Sequence, residues 1–327
     1  MERADILVIG LGPAGASAAA EAARRGCRVV AVDRKREPGK PVQCAEFVPA
    51  LLGMDVRRLA TVVCQHIESM NTYVEDDAPD VQARFPGLML DRAHFDALLV
   101  SDALSAGAQC RFGRRVRRFA RNGCVEFSDR SRLIAPVIIG ADGPRSLAGG
   151  AIGEANSAIV ETRQITVRLH APHPATDIFL SGDIPGGYGW LFPKGDLANL
   201  GAGVAPRCKG KLKDIVARLH RNLCAEGRVG AEVLSMTGGA IPVGGMLKPW
   251  GRLGDALVLL AGDAAGLAHP VTGAGIAAAV ASGRLAGEMA AEALNGVSGR
   301  GEAYQDELES TYGLALERAL RHRRALA

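Results

Sequence analysis

The chain has 327 residues, 48% hydrophobic and 23% charged, a composition that excludes an intrinsically disordered protein. Its length is sufficient for two structural units that each bury a substantial core. The formal net charge of +4 is too small to indicate nucleic-acid binding, so no nucleic-acid partner is predicted.

The cysteines and the apolar runs indicate the compartment. Seven cysteines are present, an odd number, and no two stand in C-x-x-C spacing. This argues against a disulfide framework or a structural zinc site and favours a reducing compartment. The run Ile6–Ile9 is too short for the core of a signal peptide, and no stretch reaches the roughly 18 apolar residues of a spanning helix. We therefore expect a cytoplasmic protein, with peripheral membrane contact as an open alternative.

Arginines concentrate in two stretches of the sequence. We favour a solvated strand edge and a solvated helix end for them, and the alternative is a surface that contacts anionic lipid head groups. The residues concerned are Arg111, Arg114, Arg115, Arg117 and Arg118, and Arg318, Arg321, Arg323 and Arg324.

The predicted elements begin with a βαβ unit. Residues 5–9 form a short apolar run typical of a buried strand, residues 13–25 are Ala-rich and helical, and residues 28–32 predict a second buried strand. This order indicates a parallel sheet. The elements expected further on are an irregular segment over 35–49, short strands over 60–90, a helix over 91–107, a buried strand over 133–139, an antiparallel block over 160–205, a short strand over 257–260, an Ala-rich helix over 274–295 and a charged helical tail from 302.

Parallel-type elements thus lie at the start, middle and end, with antiparallel elements between them. We predict an α/β fold in which a Rossmann-type nucleotide-binding domain is interrupted by an antiparallel-sheet substrate domain. The first domain is expected to comprise residues 1–44, 88–155 and 250–327, and the second residues 45–87 and 156–249.

The first strand leads into a glycine-rich motif. Gly10-Leu11-Gly12-Pro13-Ala14-Gly15 matches G-x-G-x-x-G, in which the glycines permit a tight turn and close approach of a pyrophosphate to a helix N-terminus. Asp33, followed by Arg34, ends the second strand, where a carboxylate binds ribose hydroxyls. The combination predicts dinucleotide binding, and the alternative is a tight turn that binds nothing.

Two later segments also place glycine and aspartate directly after a predicted strand. Gly140-Ala141-Asp142-Gly143 follows a predicted strand and on its own would indicate a simple turn. Gly262-Asp263 follows the strand at 257–260 and continues through His269 and the loop Pro270-Val271-Thr272-Gly273-Ala274-Gly275-Ile276 into a helix. This predicts a second helix N-terminus presented by glycines, with a carboxylate nearby for sugar hydroxyls.

Together the three segments resemble the flavoprotein group of aromatic hydroxylases, flavin halogenases and geranylgeranyl reductases, over residues 4 to about 295. The resemblance implies a hydroxylase-like flavoprotein fold and FAD as cofactor. It implies that the first motif binds the ADP part, that Asp142-Gly143 lies near the pyrophosphate, and that Asp263 binds the ribityl chain. The loop from Pro270 would cap the flavin ring. Arg92 matches an arginine that contacts FAD in the group, and the alternative is a surface arginine at a helix end.

An aromatic segment narrows the resemblance to the geranylgeranyl reductases. Tyr188, Trp190 and Phe192 match their Y-x-W-x-F-P motif, within Pro185–Lys194, and alternate positions of a strand share one face. The chain has only 2 Trp, 4 Tyr and 8 Phe, so three rings on one face favour a pocket wall for a long apolar substrate over ordinary sheet core.

The segment Gln43-Cys44-Ala45-Glu46 resembles the Cys-Gly-Glu segment of the same reductases, which lies close to the flavin. Cys44 is a candidate proton source or gate, or else an inert buried cysteine. Ala45 replaces glycine and takes positive φ less readily, so we expect a departure from the family's loop geometry. His269 is expected to be a turn residue, with flavin orientation or proton donation as the alternative. No metal-ligand spacing is present.

The candidate catalytic residues are therefore Cys44, Tyr188, Trp190 and His269. The candidate cofactor-binding residues are Gly10, Gly12, Pro13, Ala14, Gly15, Asp33, Arg34, Cys44, Ala45, Arg92, Asp142, Gly143, Gly262, Asp263, Pro270, Gly273, Ala274, Gly275 and Ile276.

The predicted reaction is reduction of C=C bonds in an isoprenoid or lipid-like substrate. No second G-x-G-x-x-G motif is present, so NADPH or a reduced electron carrier would act without a binding domain of its own. The missing C-x₄-C pair and cysteine cluster argue against disulfide reductases and iron–sulfur quinone reductases. The alternatives are an FAD-dependent monooxygenase acting on an aromatic or apolar substrate, a halogenase, and a non-catalytic flavin-binding protein. No oligomeric state is predicted.

Overall fold

The computed structural model describes residues 1–49, 60–120 and 122–325. These residues form two compact units. The first unit consists of Met1–Lys40, Asp96–Ala158 and Pro242–Ala325, and the second consists of Ile159–Ile241 and the described part of Pro41–Phe95. Both units are therefore assembled from separate stretches of the chain.

The strands of the described residues are numbered in chain order: β1 Glu2–Arg3, β2 Ile6–Ile9, β3 Val29–Val32, β4 Phe47–Pro49, β5 Val63–Ile67, β6 Ser69–Val74, β7 Asp80–Gln82, β8 Gly87–Leu90, β9 Gln109–Arg111, β10 Val116–Phe119, β11 Cys124–Phe127, β12 Arg132–Ile134, β13 Val137–Gly140, β14 Ile159–Arg168, β15 Ala175–Leu180, β16 Gly189–Lys194, β17 Leu197–Val204, β18 Ser235–Pro242, β19 Trp250–Leu253 and β20 Ala256–Leu260. The α-helices of the same residues are α1 Pro13–Arg24, α2 Arg92–Ser105, α3 Leu147–Ala151, α4 Leu212–Ala225, α5 Ile276–Leu294, α6 Arg300–Leu308 and α7 Leu314–Ala325. Short 3₁₀ turns cover Pro206–Lys211 and Gly262–Ala265, and a π-helical turn over Glu309–Gly313 joins α6 to α7.

A six-stranded sheet is the centre of the first unit, in the order β19-β20-β13-β2-β3-β9. All neighbours are parallel except β19, which runs antiparallel to β20. The strands β2, β3, β13 and β20 are buried at every position, as expected for a parallel sheet covered on both faces. Helix α5 packs against α1, where Gly283 allows close approach because a Cβ there would overlap the carbonyl oxygen of Ala14.

One predicted strand is divided in the structure. The apolar run over 133–139 was expected to be continuous, but it forms β12 and β13, which belong to different sheets. Pro136 lies between them and has no amide hydrogen to continue a ladder. Strand β12 joins a four-stranded sheet in the order β1-β12-β11-β10, and β13 joins the parallel sheet.

The second unit contains a seven-stranded sheet, in the order β18-β14-β17-β16-β15-β6-β7, and a three-stranded sheet, β4-β8-β5. The expected antiparallel pairing holds for β14 through β17, but β6 runs parallel to β15. Helix α4, which we did not predict, covers part of the large sheet with Leu212, Ile215, Val216 and Leu223. Phe47–Pro49, expected to be irregular, pairs with β8.

The structure groups residues 41–44 and 88–95 with the second unit and residues 156–158 and 242–249 with the first, whereas from the sequence we assigned these four stretches the other way round. Residues 88–90 belong with the second unit because β8 pairs with β4 and β5. None of the helices in the described part of the chain combines the length and the hydrophobicity of a membrane-spanning segment.

Candidate functional site

The first glycine-rich turn joins β2 to α1 and is shaped by its backbone. Gly10 has φ +95°, and a Cβ there would collide with the carbonyl of Ala141. A Cβ at Gly15 would overlap the carbonyl oxygen of Gly10. By contrast, nothing lies within 4 Å of the Cβ position of Gly12, which begins α1 without a side-chain cap. The turn therefore leaves open space beside a helix N-terminus, as a bound anion requires.

The acidic residue after β3 is tied to this turn. Asp33 Oδ2 accepts a hydrogen bond from the Leu11 amide at 2.7 Å, and Oδ1 accepts one from the Lys35 amide at 2.7 Å. Each oxygen keeps a further lone pair with which it can accept a hydroxyl. The side chain of Arg34, which we also selected, is exposed.

In the second motif the carboxylate of Asp142 binds groups of its own loop and of the helix that follows. Asp142 accepts hydrogen bonds from Ser146 Oγ at 2.5 Å and from the Leu147 amide at 2.6 Å, at the start of α3. Burial raises the pKa of Asp142 above its ordinary value, and these hydrogen bonds oppose the rise. The open point of this loop is Gly143, which has φ +84° and no atom within 4 Å of its Cβ position.

The third motif packs directly on the first. Gly262 has φ +61°, and a Cβ there would come within 3.0 Å of the Ala14 side chain, one residue after Pro13 at the start of α1. The Gly262 amide donates to Ser282 Oγ of α5 at 3.0 Å. This close contact explains why small residues stand at both positions.

One residue that sequence reasoning missed joins the second motif to the third. Asn156 Nδ2 donates to the carbonyl of Pro144 at 3.1 Å and to that of Asp263 at 2.9 Å. No sequence pattern marks such an asparagine, because its partners lie 12 and 107 positions away. The three motifs therefore converge within the first unit.

His269 begins the loop before α5, and its ring acts as an internal acceptor. Nδ1 accepts from the amides of Thr272 at 3.2 Å and Val271 at 3.4 Å. Burial lowers the pKa of His269 and so favours the neutral ring, and because Nδ1 is the acceptor, the proton of the neutral ring lies on Nε2. The backbone closes the same turn, because the Gly273 amide donates to the His269 carbonyl at 2.8 Å.

The rest of this loop presents a second helix N-terminus. Gly275 begins α5 without a side-chain cap, and Gly273 has φ +70°. Pro270 and Ile276 are buried at the two ends of the loop, and Ala274 is half-buried. A helix N-terminus without an acidic cap favours a negative charge on a ligand.

The first unit thus combines two helix N-termini without side-chain caps and two open glycines, Gly12 and Gly143. Both helices are long enough to carry a substantial dipole. This arrangement fits a dinucleotide with a pyrophosphate and two sugar moieties.

The Cys44 loop belongs to the second unit and is held by side chains. Gln164 Nε2 donates to the Cys44 carbonyl at 3.2 Å, and Asn199 Nδ2 donates to the Ala45 carbonyl at 3.3 Å. Cys44 is half-buried, and its Sγ accepts from the Glu46 amide at 3.2 Å. Positive φ occurs at Glu46, at +71°, and not at Ala45, so alanine in place of glycine introduces no backbone strain at position 45.

Glu46 is the centre of a buried polar cluster that we had not selected. It is 4% exposed, and both of its carboxylate oxygens lie 3.0 Å from Lys194 Nζ. It also accepts from Asn199 Nδ2 at 2.7 Å and from the Arg92 amide at 2.9 Å. Glu46 and Lys194 end two segments that we selected for other residues, and no local sequence pattern indicates that these two oppositely charged side chains pair.

Arg92, selected as a cofactor contact, is the first residue of α2. Its amide binds Glu46, and its guanidinium carbon lies 6.0 Å from the ring centroid of Phe95. The backbone of Arg92 is therefore part of the Glu46 cluster.

The three aromatic rings lie in sequence along β16 and the residue before it. Ring centroids are 6.0 Å apart for Tyr188 and Trp190 and 6.4 Å apart for Trp190 and Phe192. Trp190 and Phe192 are 6% and 7% exposed and pack in a cluster with Phe47, whereas Tyr188 is half-buried. Trp190 Nε1 donates to Gln164 Oε1 at 3.1 Å, so one glutamine connects the aromatic strand to the Cys44 loop.

Among the residues that the structure describes, no group of three or more His, Cys, Asp or Glu side chains could hold a metal ion.

Comparison with known proteins identifies what this arrangement resembles. An FAD binding domain model matches residues 3–180, and a geranylgeranyl reductase catalytic domain model matches residues 158–241. Digeranylgeranylglycerophospholipid reductase of Methanosarcina acetivorans is 31% identical over 94% of this chain and 79% of its own length. Digeranylgeranylglycerophospholipid reductase 2 of Methanosphaera stadtmanae is 34% identical over 90% of this chain and 79% of its own length.

A solved structure supports the fold. A geranylgeranyl bacteriochlorophyll reductase-like protein from Thermoplasma acidophilum superposes with a TM-score of 0.83, covering 99% of this chain and 87% of that chain at 24% identity. This confirms the predicted hydroxylase-like flavoprotein fold, and the matching domain model confirms FAD as the cofactor that the first unit's residues fit.

Proposed function

Because the chain belongs to the geranylgeranyl reductase family of FAD-dependent oxidoreductases, we propose that it reduces carbon–carbon double bonds in the isoprenoid chains of a lipid. The observation that carries this proposal is the similarity to two digeranylgeranylglycerophospholipid reductases, at 31% and 34% identity over 79% of each. Their names specify a reduction, which favours this reaction over the monooxygenase, the halogenase and the non-catalytic alternative.

In this proposal the first unit is the FAD-binding domain. The N-terminus of α1 beside Gly12 would hold the pyrophosphate, Asp33 a ribose and Asp263 the ribityl chain. The loop from Pro270 would bind the flavin ring, with the N-terminus of α5 favouring negative charge there. Reduced FAD supplies the hydride when it is bound. Asp142 would act by shaping its loop, because its carboxylate is engaged at α3.

The second unit would be the substrate domain. Tyr188 is the most exposed of the three rings on its strand, so we assign it contact with the apolar chain, while Trp190 supports it from the core. Cys44 would supply the proton that completes the reduction. Its position is fixed by two hydrogen bonds, one from Gln164 to its carbonyl oxygen and one from the Glu46 amide to its Sγ. His269 would orient its loop, because its Nδ1 is already an acceptor from the backbone.

The electron donor is proposed to be NADPH or a reduced electron carrier. Peripheral membrane contact likewise stays a prediction.

The test begins with the purified protein loaded with FAD under nitrogen. The flavin is reduced, the excess reductant is removed, and a lipid bearing geranylgeranyl chains is added while the flavin absorbance is recorded. We expect reoxidation without oxygen and a product that gains two hydrogen atoms for each reduced double bond, measured by mass spectrometry. The saturated lipid is the matched control and should leave the flavin reduced.

The alternatives give different results in the same experiment. Reoxidation only after air is admitted, with an oxygen atom in the product, would establish a monooxygenase and overturn the proposal. Replacing the chemical reductant by NADPH then tests the donor: flavin reduction by NADPH alone supports it, and a failure directs the search to an electron-carrier protein.

A further inference from the structure

The C-terminal helix α7 presents one face to the rest of the first unit. Leu316 and Ala319 are 6% and 4% exposed, and Leu320 and Arg323 are half-buried. Positions i, i+3, i+4 and i+7 lie on the same side of a helix. The other arginines of the basic tail, Arg318, Arg321 and Arg324, are exposed.

The predicted solvated helix end therefore describes Arg318, Arg321 and Arg324, which are exposed, but not Arg323, which is half-buried. Its Nη1 donates to the carbonyl oxygen of Pro270 at 3.0 Å. Pro270 is buried and begins the loop that leads to the N-terminus of α5. A charged donor on a carbonyl makes a stronger hydrogen bond than a neutral one, so this contact fixes the direction in which the loop starts.

A second contact from the same helix face supports the neighbouring motif. Gly245 has φ +83°, and a Cβ there would come within 2.6 Å of Leu320 Cδ1. On its other side, the Gly245 carbonyl occupies the position that a Cβ at Gly266 would need. Leu247 donates its amide to the Ala265 carbonyl at 3.0 Å. Helix α7 thus supports the turn over Gly262–Ala265 as well as the Pro270 loop.

We propose that Arg323 is a positioning residue for FAD: through its hydrogen bond to the Pro270 carbonyl, helix α7 holds the Pro270–Ile276 loop in the conformation that binds the flavin. The proposal rests on the function given above for this loop. Without the hydrogen bond the loop would populate other conformations, and the apparent FAD affinity would fall in proportion to the fraction of molecules that are still competent to bind.

The experiment measures FAD affinity of the full chain stripped of flavin. Apoprotein is titrated with FAD, and quenching of flavin fluorescence gives Kd for the wild type, Arg323→Ala, Arg323→Lys and Arg324→Ala. We expect Arg323→Ala to weaken binding about fivefold to tenfold, given a charged hydrogen bond that is partly exposed to water. Arg323→Lys should restore part of the loss, because it keeps one charged donor. Arg324→Ala is the matched control, one residue away and exposed, and should bind as the wild type does.

The thermal midpoint of each apoprotein separates positioning from general stability. The proposal expects the Arg323→Ala apoprotein to melt only slightly below the Arg324→Ala apoprotein and to be fully folded at the temperature of the titration, because the Pro270 loop can rearrange without unfolding the rest of the unit. Equal Kd for these two variants would overturn it, and so would a loss of affinity matched by an equal loss of apoprotein stability. A wild-type protein that takes up no FAD would overturn the proposed function itself, a result that no Arg323 variant can produce.

Discussion

The two units hold the loops of the candidate site by different physical means. In the first unit the backbone determines the shape: Gly10, Gly143 and Gly273 have φ between +70° and +95°. In the second unit a loop without glycine is held by side chains from neighbouring strands, around the buried carboxylate of Glu46. The first kind of loop should be sensitive to a single added methyl group, and the second to the loss of a single charge.

The largest effect is expected at Glu46. Glu46→Ala removes the carboxylate that pairs with Lys194 and accepts from Asn199 and the Arg92 amide. Removing one partner of a buried ion pair leaves the other uncompensated, and since the Lys194 side chain is 22% exposed we expect a loss of about 3 kcal/mol in the free energy of unfolding. Urea denaturation of the apoprotein measures it.

Glu75 provides the control for this substitution. It is the same residue type, also with positive φ, at +50°, but it is exposed. Glu75→Ala should destabilise the protein far less, because the hydrogen bond that its carboxylate accepts from the Gly182 amide is exposed and water replaces it. If both variants unfolded at the same urea concentration, backbone strain rather than the buried cluster would explain the loss.

The two tryptophans of the chain permit a second matched pair. Trp190 and Trp250 each donate from Nε1 to a glutamine Oε1 at 3.1 Å, but the first bond is buried and the second is partly exposed. Trp190→Phe leaves the buried Gln164 Oε1 without its hydrogen-bond donor and should lower the free energy of unfolding by about 2 kcal/mol. Trp250→Phe leaves Gln305 in contact with water and should lower it by about 0.5 kcal/mol.

The rate of lipid reduction should also differ between the two tryptophan variants, because Gln164, the partner of Trp190, donates a hydrogen bond to the Cys44 carbonyl. We expect Trp190→Phe to lower the rate of lipid reduction and Trp250→Phe to leave it unchanged. Equal losses of stability and rate in both variants would show that the connection from the aromatic strand to the Cys44 loop has no special role.

The same contrast explains what the sequence could predict. A glycine turn between a strand and a helix is local, so the three motifs of the first unit were visible as short patterns. The Glu46 cluster joins residues 148 and 153 positions apart, and its positive φ falls on a glutamate, so no local pattern reveals it. The division of the strand over 133–139 was foreseeable, because Pro136 interrupts the run.

The missed helix α4 has a different cause. Leu212, Ile215, Val216 and Leu223 follow helical spacing, but this pattern lies beyond the alternating block and we gave it no element. Asn156 could not be predicted for the same reason as Glu46. Its role is recognisable only once the carbonyls of Pro144 and Asp263 are known to be neighbours.

The smallest change in stability is expected at Gly12, where the added methyl group should act on the ligand alone. The backbone at Gly12 has φ −76° and ψ −170°, which alanine adopts readily, and no atom lies within 4 Å of the new Cβ. Gly12→Ala should therefore leave the unfolding of the apoprotein unchanged. It should weaken FAD binding by about tenfold, or ~1.4 kcal/mol, because the methyl group occupies the space that a pyrophosphate must approach.

Gly150→Ala is the control for this last variant, since its Cβ also meets nothing within 4 Å. It lies within α3 of the same unit and should bind FAD as the wild type does. A Gly12→Ala protein with wild-type FAD affinity would mean that the dinucleotide does not approach this turn. The backbone of the glycine turn would then not be shaped for this ligand, whatever the result for the loop that side chains hold around Glu46.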